Sequence, residues 1–247
     1  MPAPDDAGHL DADAALSLLT VGELTIEGRL YEASNATLLC QVAADGVAAL
    51  CVYKPVAGER PLWDFPHGTL AGREHAAYLT SEATGWHLIP PTVLRDGPYG
   101  EGMVQFWIDV DRTVDVEALV RSGDPRLRPL AILDAIMNNS DRKGVHVLPA
   151  VDGSVYGCDH GLTFHDDDKL RTVLWAWRGQ RLADSERQVV ADVAGQLMAG
   201  GALRAALSPY LTRRELQAAA RRALTLQAVG RFPQPSEDWP AVPWPPF

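Results

Sequence analysis

Charged residues in three stretches of the sequence have types and spacing that suit them to chemistry. In the first, Lys54 ends an alternating apolar run in VYKP, and Glu74 lies in the next helical pattern along the chain. Such a lysine can contact two phosphate groups, and a carboxylate on a helix can hold its ammonium group in place. Surface lysines and solvated helical glutamates are common, so this pair gains meaning only from the motifs that follow it.

The second stretch is DRKGVH, which runs from Asp141 to His146. An aspartate at its first position can orient a hydroxyl group and accept its proton. Lys143 can neutralise a phosphoryl group during transfer, and His146 can reach back toward a metal ion. The preceding letters, Asn-Ser-Asp-Arg, are also a good turn sequence, so the stretch alone does not decide between chemistry and a turn.

The third stretch is DHG, in which Asp159 and Gly161 flank His160 after a short strand pattern. A carboxylate at a strand end, close to a glycine that permits unusual backbone angles, suits Mg²⁺ bound to nucleotide phosphates. Any one of the three stretches occurs often by chance. Their occurrence in this order predicts phosphoryl transfer.

The elements that must position these residues differ between the two halves of the chain. The amino half predicts two helices, over 11–19 and 69–82, and strands at 24–31, 36–42, 47–55, 92–95 and 102–108, the first three as an antiparallel meander. The rest predicts a strand at 154–157 and helices at 114–121, 130–137, 185–198, 202–207 and 213–229, the last with a Thr212/Glu215 capping box. This is an α+β pattern with an N-lobe (1–108), a mainly helical C-lobe (109–232) and a Pro- and Trp-rich tail (233–247). The tail is expected to pack extended against the body or to bind a partner.

The composition excludes several classes of protein. With 247 residues, 47% of them hydrophobic, the chain can bury a sizeable core. The net charge of -10 argues against binding to nucleic acid or to anionic membranes. No apolar run approaches the roughly 20 residues of a membrane span, and three cysteines without metal-ligand spacing are typical of reduced thiols, so we expect a cytoplasmic protein.

The order of lysine, helical glutamate, aspartate loop and Asp-x-Gly motif resembles the protein-kinase-like fold. The forms NNSDRKGVH and CDHGLTF are similar to the phosphatidylinositol 3- and 4-kinase-related branch, including the HipA-type kinases, and look like an actinobacterial offshoot of it. The resemblance covers roughly residues 22–178. It implies two lobes, the first an antiparallel sheet plus one helix, with ATP and Mg²⁺ or Mn²⁺ as cofactors.

Residue by residue, the resemblance implies that Lys54 contacts phosphate with Glu74 as its partner, that Asp141 is catalytic and that Asp159 is the principal metal ligand. It also implies an adenine-contacting hinge at Gln105, Phe106, Trp107 and Ile108. Two features depart from the family pattern. His146 stands where the family has a metal-binding asparagine, and an imidazole suits Mn²⁺ better than Mg²⁺. The turn between the first two strands lacks glycine, although Ser34 and Asn35 can still offer donors.

The expected function is ATP-dependent transfer of the γ-phosphate to a hydroxyl group of a protein or a small molecule, with transfer of AMP as an open possibility. A lipid substrate is not expected, because the stretch after Gly161 mixes Asp166–Asp168 with Lys169 and Arg171 in an acidic protein. Two alternatives stay open. One is a pseudokinase that binds nucleotide without turnover; the other is a metal-dependent hydrolase built from Asp134, Asp141, His146, Asp159 and His160.

Overall fold

The computed structural model of the protein describes residues 10–30 and 36–247. The chain forms two compact units. The first comprises Met1–His75 and Pro90–Ile108, and the second comprises Ala76–Ile89 and Asp109–Phe247. The predicted N-lobe also ended at residue 108, but it included residues 76–89, which belong to the second unit.

The first unit is a five-stranded antiparallel sheet with one short helix of its own. The strands are β1 (Glu23–Arg29), β2 (Leu38–Ala44), β3 (Val47–Pro55), β4 (Thr92–Gly97) and β5 (Gly100–Phe106), in the order β1-β2-β3-β5-β4. The helix α1 (Ala12–Val21) comes before β1, so this unit has one helix more than the kinase resemblance implied. Asp45 and Gly46, both with positive φ, form the tight turn of the β2–β3 hairpin.

The register of the sheet decides which way Lys54 points. Tyr53 is fully buried in a core cluster with Cys40, Cys51 and Leu19 of α1. Because successive side chains of a strand point to opposite faces, Lys54 lies on the other face of β3. Burial also raises the pKa of the Cys51 thiol to about 12, so this cysteine is an inert core residue.

Helix α2 (Leu70–Thr84) contributes to both units, since the division falls between His75 and Ala76. It ends before Gly85, which has a φ of +70° and closes the helix in the left-handed conformation. Glu74 lies in the part of α2 that belongs to the first unit. Lys54, on β3, belongs to the same unit.

The second unit is mainly helical. Its helices are α3 (Val116–Ser122), α4 (Arg128–Met137), α5 (Asp184–Leu197), α6 (Ala202–Leu207) and α7 (Arg213–Val229), and a hairpin pairs β6 (Val147–Pro149) with β7 (Val155–Gly157). The predicted capping box of α7 is present, with the Thr212 hydroxyl and the Glu215 carboxylate each bonding the other's backbone N–H. Helix α4 is buried nearly all round and ends at Asn138, whose left-handed conformation starts the next loop.

The tail after Phe232 lies extended on the second unit. The backbone N–H of Thr172 and the indole N–H of Trp175 both donate to the Ala241 carbonyl, at 3.0 and 2.8 Å. The N–H of Gly144 donates to the Pro246 carbonyl at 2.7 Å. The last residues of the chain are therefore in contact with the loop that contains Asp141.

Several predicted strands have different bounds in the structure. Those predicted at 24–31, 36–42 and 154–157 are Glu23–Arg29, Leu38–Ala44 and Val155–Gly157. The strand predicted at 92–95 continues to Gly97, and the one predicted at 102–108 runs from Gly100 to Phe106, because the turn between them is a tight one. Along the described ranges, none of the helices combines the length and apolar character needed to cross a membrane.

Candidate active site

Within the first unit, Lys54 and Glu74 form an ion pair. The ammonium group of Lys54 lies 2.5 Å from Glu74 Oε1. The Glu74 side chain is only 3% exposed and that of Lys54 18%, so solvent screens this pair far less than a surface pair. The strand and the helix thus bring together the two residues that the sequence paired, and the buried carboxylate restricts where the lysine can reach.

In the second unit, the loop after α4 holds Asp141 and Lys143 side by side. Lys143 Nζ lies 3.0 Å from Asp141 Oδ2, and each side chain is about one fifth exposed. The Asn139 side-chain oxygen accepts from the Asp141 N–H at 3.0 Å, which fixes the backbone at the aspartate. A carboxylate and an ammonium group are therefore presented together, partly open to solvent, on a short loop.

His146 and Asp159 form a second contact in this unit. His146 Nε2 lies 3.2 Å from Asp159 Oδ2, and His146 Nδ1 lies 3.0 Å from the Asp141 carbonyl oxygen. The pKa of the His146 imidazole is lowered, and burial is the largest cause. The negative charge of Asp159 acts in the opposite direction and raises this pKa in part. The alternative donor to Nδ1, the Lys143 N–H, is farther away at 3.5 Å, so we assign the ring proton to Nδ1.

With the proton on Nδ1, the lone pair of Nε2 faces a carboxylate oxygen, so the two atoms would both be available to one cation. Two cis ligands of an octahedral ion, each about 2.1 Å from it, are about 3.0 Å apart, close to the 3.2 Å observed here. Asp159 itself has a φ of +57°, an uncommon conformation for a residue other than glycine. His146 and Asp159 therefore fit a divalent metal ion, and they would hold it through one nitrogen and one oxygen.

No protein-family model matches the sequence. The chain is 43% identical over 266 aligned residues to Protein Rv2133c of Mycobacterium tuberculosis (strain ATCC 25618 / H37Rv), an alignment that covers 94% of this chain and 95% of that protein. The chain belongs to the family of Protein Rv2133c.

Among solved structures, the crystal structure of the Helicobacter pylori proinflammatory kinase CtkA is similar to the structure of this chain, with a TM-score of 0.51. The similarity covers 86% of this chain and 94% of that chain, at 9% sequence identity. At such low identity the likeness shows the fold alone. It confirms the predicted α+β fold of the two-lobed, protein-kinase-like type.

A buried ion pair that sequence reasoning did not single out organises the loop of this family member. Arg142 and Asp134 are both fully buried, and the guanidinium group donates two hydrogen bonds of 2.9 Å to the carboxylate. Arg142 also donates to the carbonyl oxygens of His146 and Cys158, at 3.1 and 2.9 Å. One arginine thus ties the loop around Asp141 to the strand exit at Asp159.

This pair bears on the hydrolase alternative, which was built from five residues that include Asp134 and His160. The Asp134 carboxylate is occupied by Arg142 and by the Asn139 amide group at 2.9 Å. His160 is fully buried, and its Nε2 contacts Arg142. Among these five residues, His146 and Asp159 have side chains in contact, at 3.2 Å.

The predicted hinge residues are partly committed to the sheet. The Gln105 side chain is buried and donates to the Thr92 hydroxyl at 2.9 Å, so at this position the backbone, and not the side chain, is left for the predicted hinge. The N–H groups of Phe106 and Trp107 donate to the carbonyls of Pro91 and Leu50, at 2.9 and 3.1 Å. Contact with adenine through this stretch therefore has to use other backbone groups, including those of Ile108.

Two remaining points concern donors and metal ligands. The predicted phosphate donors Ser34 and Asn35 lie outside the described residues.

In the described parts of the chain, the side chains of His165, Asp166 and Asp167 also come close enough together to share an ion. The Asp167 N–H already bonds His165 Nδ1 at 3.0 Å, so this cluster is a self-bonded turn and we assign it no metal.

Proposed function

We propose that the protein is an ATP-dependent phosphotransferase. The observation that carries this proposal is the buried Lys54–Glu74 ion pair, found in a protein-kinase-like fold at the two positions that the order of motifs predicted. In such enzymes the lysine positions the nucleotide phosphates and the glutamate holds the lysine. The Glu74 side chain is only 3% exposed, which suits this holding role better than a solvated surface contact would.

The proposed division of roles follows from the contacts within the second unit. Asp141 orients the acceptor hydroxyl and accepts its proton while the hydroxyl oxygen attacks the γ-phosphorus and ADP leaves. Lys143, 3.0 Å from the Asp141 carboxylate, offsets negative charge on the phosphoryl group as it is transferred. The proton therefore goes to Asp141, and the bond between the γ-phosphorus and the ADP oxygen breaks.

We assign the divalent ion to Asp159 and His146. A bound Mg²⁺ or Mn²⁺ would neutralise charge on the nucleotide phosphates. An imidazole nitrogen is a softer ligand than the amide oxygen of the related kinases, so Mn²⁺ is the ion we expect to support activity best.

We place the protein in the phosphatidylinositol 3- and 4-kinase-related branch, close to the HipA type, because of its NNSDRKGVH and CDHGLTF motifs. The acceptor we propose is a hydroxyl group of a protein or a small molecule. The acidic net charge of -10 argues against a lipid headgroup as acceptor.

The test is incubation of the full chain with γ-labelled ATP and Mg²⁺ or Mn²⁺, with label followed into the protein itself, into added acceptors and into free phosphate. Asp141→Asn and Asp159→Asn should each lower the rate at least about a hundredfold. Asp152→Asn is the matched control, because Asp152 is an exposed carboxylate in the β6–β7 turn that accepts from the nearby Ser154 N–H at 2.8 Å. Label transfer that survives Asp159→Asn would refute the metal assignment, and transfer of an α-label would reveal AMP transfer.

A pseudokinase is the second candidate, and the His146–Asp159 contact favours it. A metal ion held by His146 Nε2 and Asp159 Oδ2, which lie 3.2 Å apart, would have a softer nitrogen ligand than the amide oxygen of the related kinases, and it would bind nucleotide without supporting transfer. This candidate predicts nucleotide binding by the wild type with no label transfer under any metal. His146→Asn, which restores the amide of the related kinases, should then create or increase transfer.

A further inference from the structure

A cavity of about 520 Å³ lies within the second unit, away from the proposed catalytic residues. The end of α4, the segment around Leu170, helix α7 and the start of the tail form its walls, and three arginines line it: Arg221, Arg222 and Arg231. Its volume falls in the range typical of small-molecule sites. None of Asp141, Lys143, His146 and Asp159 lines it.

Arg222 is the most buried of the three arginines, with only 11% of its side chain exposed. Its Nε donates to the Ile136 carbonyl and its Nη1 to the His165 carbonyl, both at 3.2 Å. Its nearest carboxylate, Asp168, is 70% exposed and 3.3 Å away, and Nη2 has no hydrogen-bond partner among the described residues. The buried positive charge is therefore only weakly compensated within the protein, and burial lowers the pKa of Arg222 to about 10.

The other two arginines add to this positive charge. Arg221 and Arg231 are exposed at the cavity, and Arg231 donates one hydrogen bond of 2.7 Å to the Gly179 carbonyl. Asp168 is the only acidic residue among the lining residues. The cavity walls therefore carry an excess of two positive charges, three arginines against one aspartate.

The remaining walls are largely apolar. Leu170, Leu226, Val229, Phe232 and Pro233 supply most of this surface, and the polar residues Asn138, Thr225, Gln234 and Ser236 also line the cavity. A ligand that suits both parts has an anionic head and an apolar body, since arginine forks recognise phosphate and carboxylate groups and the walls favour burial of hydrocarbon. We propose that this cavity binds a small amphipathic anion, a phosphate or a carboxylate that carries an aliphatic or aromatic group, with its head toward the three arginines.

The test uses calorimetric titration of the full chain with four probes: hexyl phosphate, hexanoate, inorganic phosphate and hexan-1-ol. Hexyl phosphate or hexanoate should bind saturably, and the comparison of the two decides between a phosphate and a carboxylate head. Inorganic phosphate, which lacks the apolar body, and hexan-1-ol, which lacks the charge, should each bind at least about tenfold more weakly.

Variants at the exposed arginines keep the test independent of folding. Arg221→Gln and Arg231→Gln should each raise the dissociation constant about tenfold, and the double variant more. Arg214→Gln is the matched control, because Arg214 is exposed on the same helix but does not line the cavity. Arg222→Lys, which keeps the charge and loses the fork, should weaken binding as well.

Three results would overturn the proposal: no saturable binding of either amphipathic anion up to about 10 mM, equal binding of hexan-1-ol, or an affinity unchanged in the Arg221/Arg231 double variant. The outcome is separate from the proposed phosphotransferase activity. ATP binding measured in the same double variant should match the wild type, whereas Asp159→Asn should leave hexyl phosphate binding unchanged.

Discussion

At the scale of single residues, the buried Arg142–Asp134 pair is the contact on which the loop geometry depends. Two charges with no exposure to solvent are costly unless each is fully hydrogen-bonded, and here Arg142 uses three nitrogens on the Asp134 carboxylate and two carbonyl oxygens. Removing one partner leaves the other charge buried without compensation. The pair therefore holds the loop in one conformation, and breaking the pair should destabilise the fold strongly.

Asp134→Asn is expected to lower the free energy of unfolding by about 3 to 5 kcal/mol, because it keeps the shape but leaves the Arg142 charge unpaired. Chemical denaturation at neutral pH measures this loss. Arg126→Gln is the control, since it breaks a pair in which the arginine is 47% exposed, and it should cost about 1 kcal/mol or less. Equal losses in the two variants would contradict the organising role of the buried pair.

Sequence reasoning identified Lys54 and Glu74 from their order with the later motifs, and the structure brings them into contact. It passed over Arg142, because an arginine next to an aspartate in a polar loop looks solvated. A usable signal was nevertheless present. Asp134 interrupts the apolar run AILDAIM of a helix that has no polar face there, and a carboxylate in such a place needs a buried cation.

His75 predicts how stability changes with pH. Burial is the main cause that lowers its pKa, and its Nδ1 lies 2.9 Å from the Thr92 carbonyl, a contact that raises the pKa in part. The unfolded chain therefore binds a proton at a higher pH than the folded one. The contribution of neutral His75 to the free energy of unfolding is therefore fully present above about pH 6.5, the pKa of histidine in the unfolded chain. It is lost as the pH falls through the lowered pKa of His75 in the folded protein.

The variant His75→Asn tests this pH dependence, because its amide group can keep the bond to Thr92 and cannot titrate. Denaturation at pH 7 and at pH 5 gives the loss on acidification for each protein. We expect a smaller loss in the variant than in the wild type. His146, whose pKa is also lowered, contributes in the same direction in both proteins and so does not affect the comparison. An equal loss would show that His75 does not titrate as inferred.

At the scale of elements, periodicity and turn chemistry predicted most helices and strands. The Asp45–Gly46 turn and the Thr212–Glu215 capping box are signals within a few residues, and both features are present. The ends of β4 and β5 were less predictable, because a strand end depends on its partner: Gly97 pairs with Gly100 across a two-residue turn. The path of the tail could not be predicted, since proline-rich sequence excludes a helix without indicating which surface it contacts.

The contact between the tail and the Asp141 loop makes a prediction about Gly144. A Cβ atom at this glycine would overlap the Phe247 ring, so Gly144→Ala should displace the ring from the loop. Phe247 is 37% exposed, and losing its contact should cost about 1 kcal/mol. Phe247→Ala should cost the same, and the double variant should cost no more than either single change, since both remove one contact.

Gly195→Ala is the matched control for this cycle. A Cβ atom there meets nothing within 4 Å, so the variant should be neutral or more stable by up to about 1 kcal/mol, alone or with Phe247→Ala. Denaturation curves of the five variants and the wild type supply all the terms. Strict additivity of Gly144→Ala and Phe247→Ala would mean that the ring and the loop are not coupled.

At the scale of the whole molecule, the α+β class and the change from a sheet-rich to a helical half followed from the sequence, because each element carries its own pattern. The assignment of residues 76–89 to the second unit did not, since a helix that continues from one unit into the other shows no break in its periodicity. Which unit such a segment joins depends on contacts far apart in the chain.

Nucleotide binding should stabilise the whole molecule, and the two units supply independent tests of it. A ligand at about a hundred times its dissociation constant adds about 2.7 kcal/mol to the stability of the state it binds, which corresponds to a rise of about 5 to 10 °C in the unfolding midpoint of a chain this size. ATP with Mg²⁺ or Mn²⁺ should produce such a rise in the wild type. Lys54→Met in the first unit and Asp159→Asn in the second should each remove most of it, whereas Asp152→Asn should retain it. The absence of any rise at millimolar ATP with either metal would exclude both the phosphotransferase and the pseudokinase, while a rise that only Asp159→Asn abolishes would refute the role of Lys54.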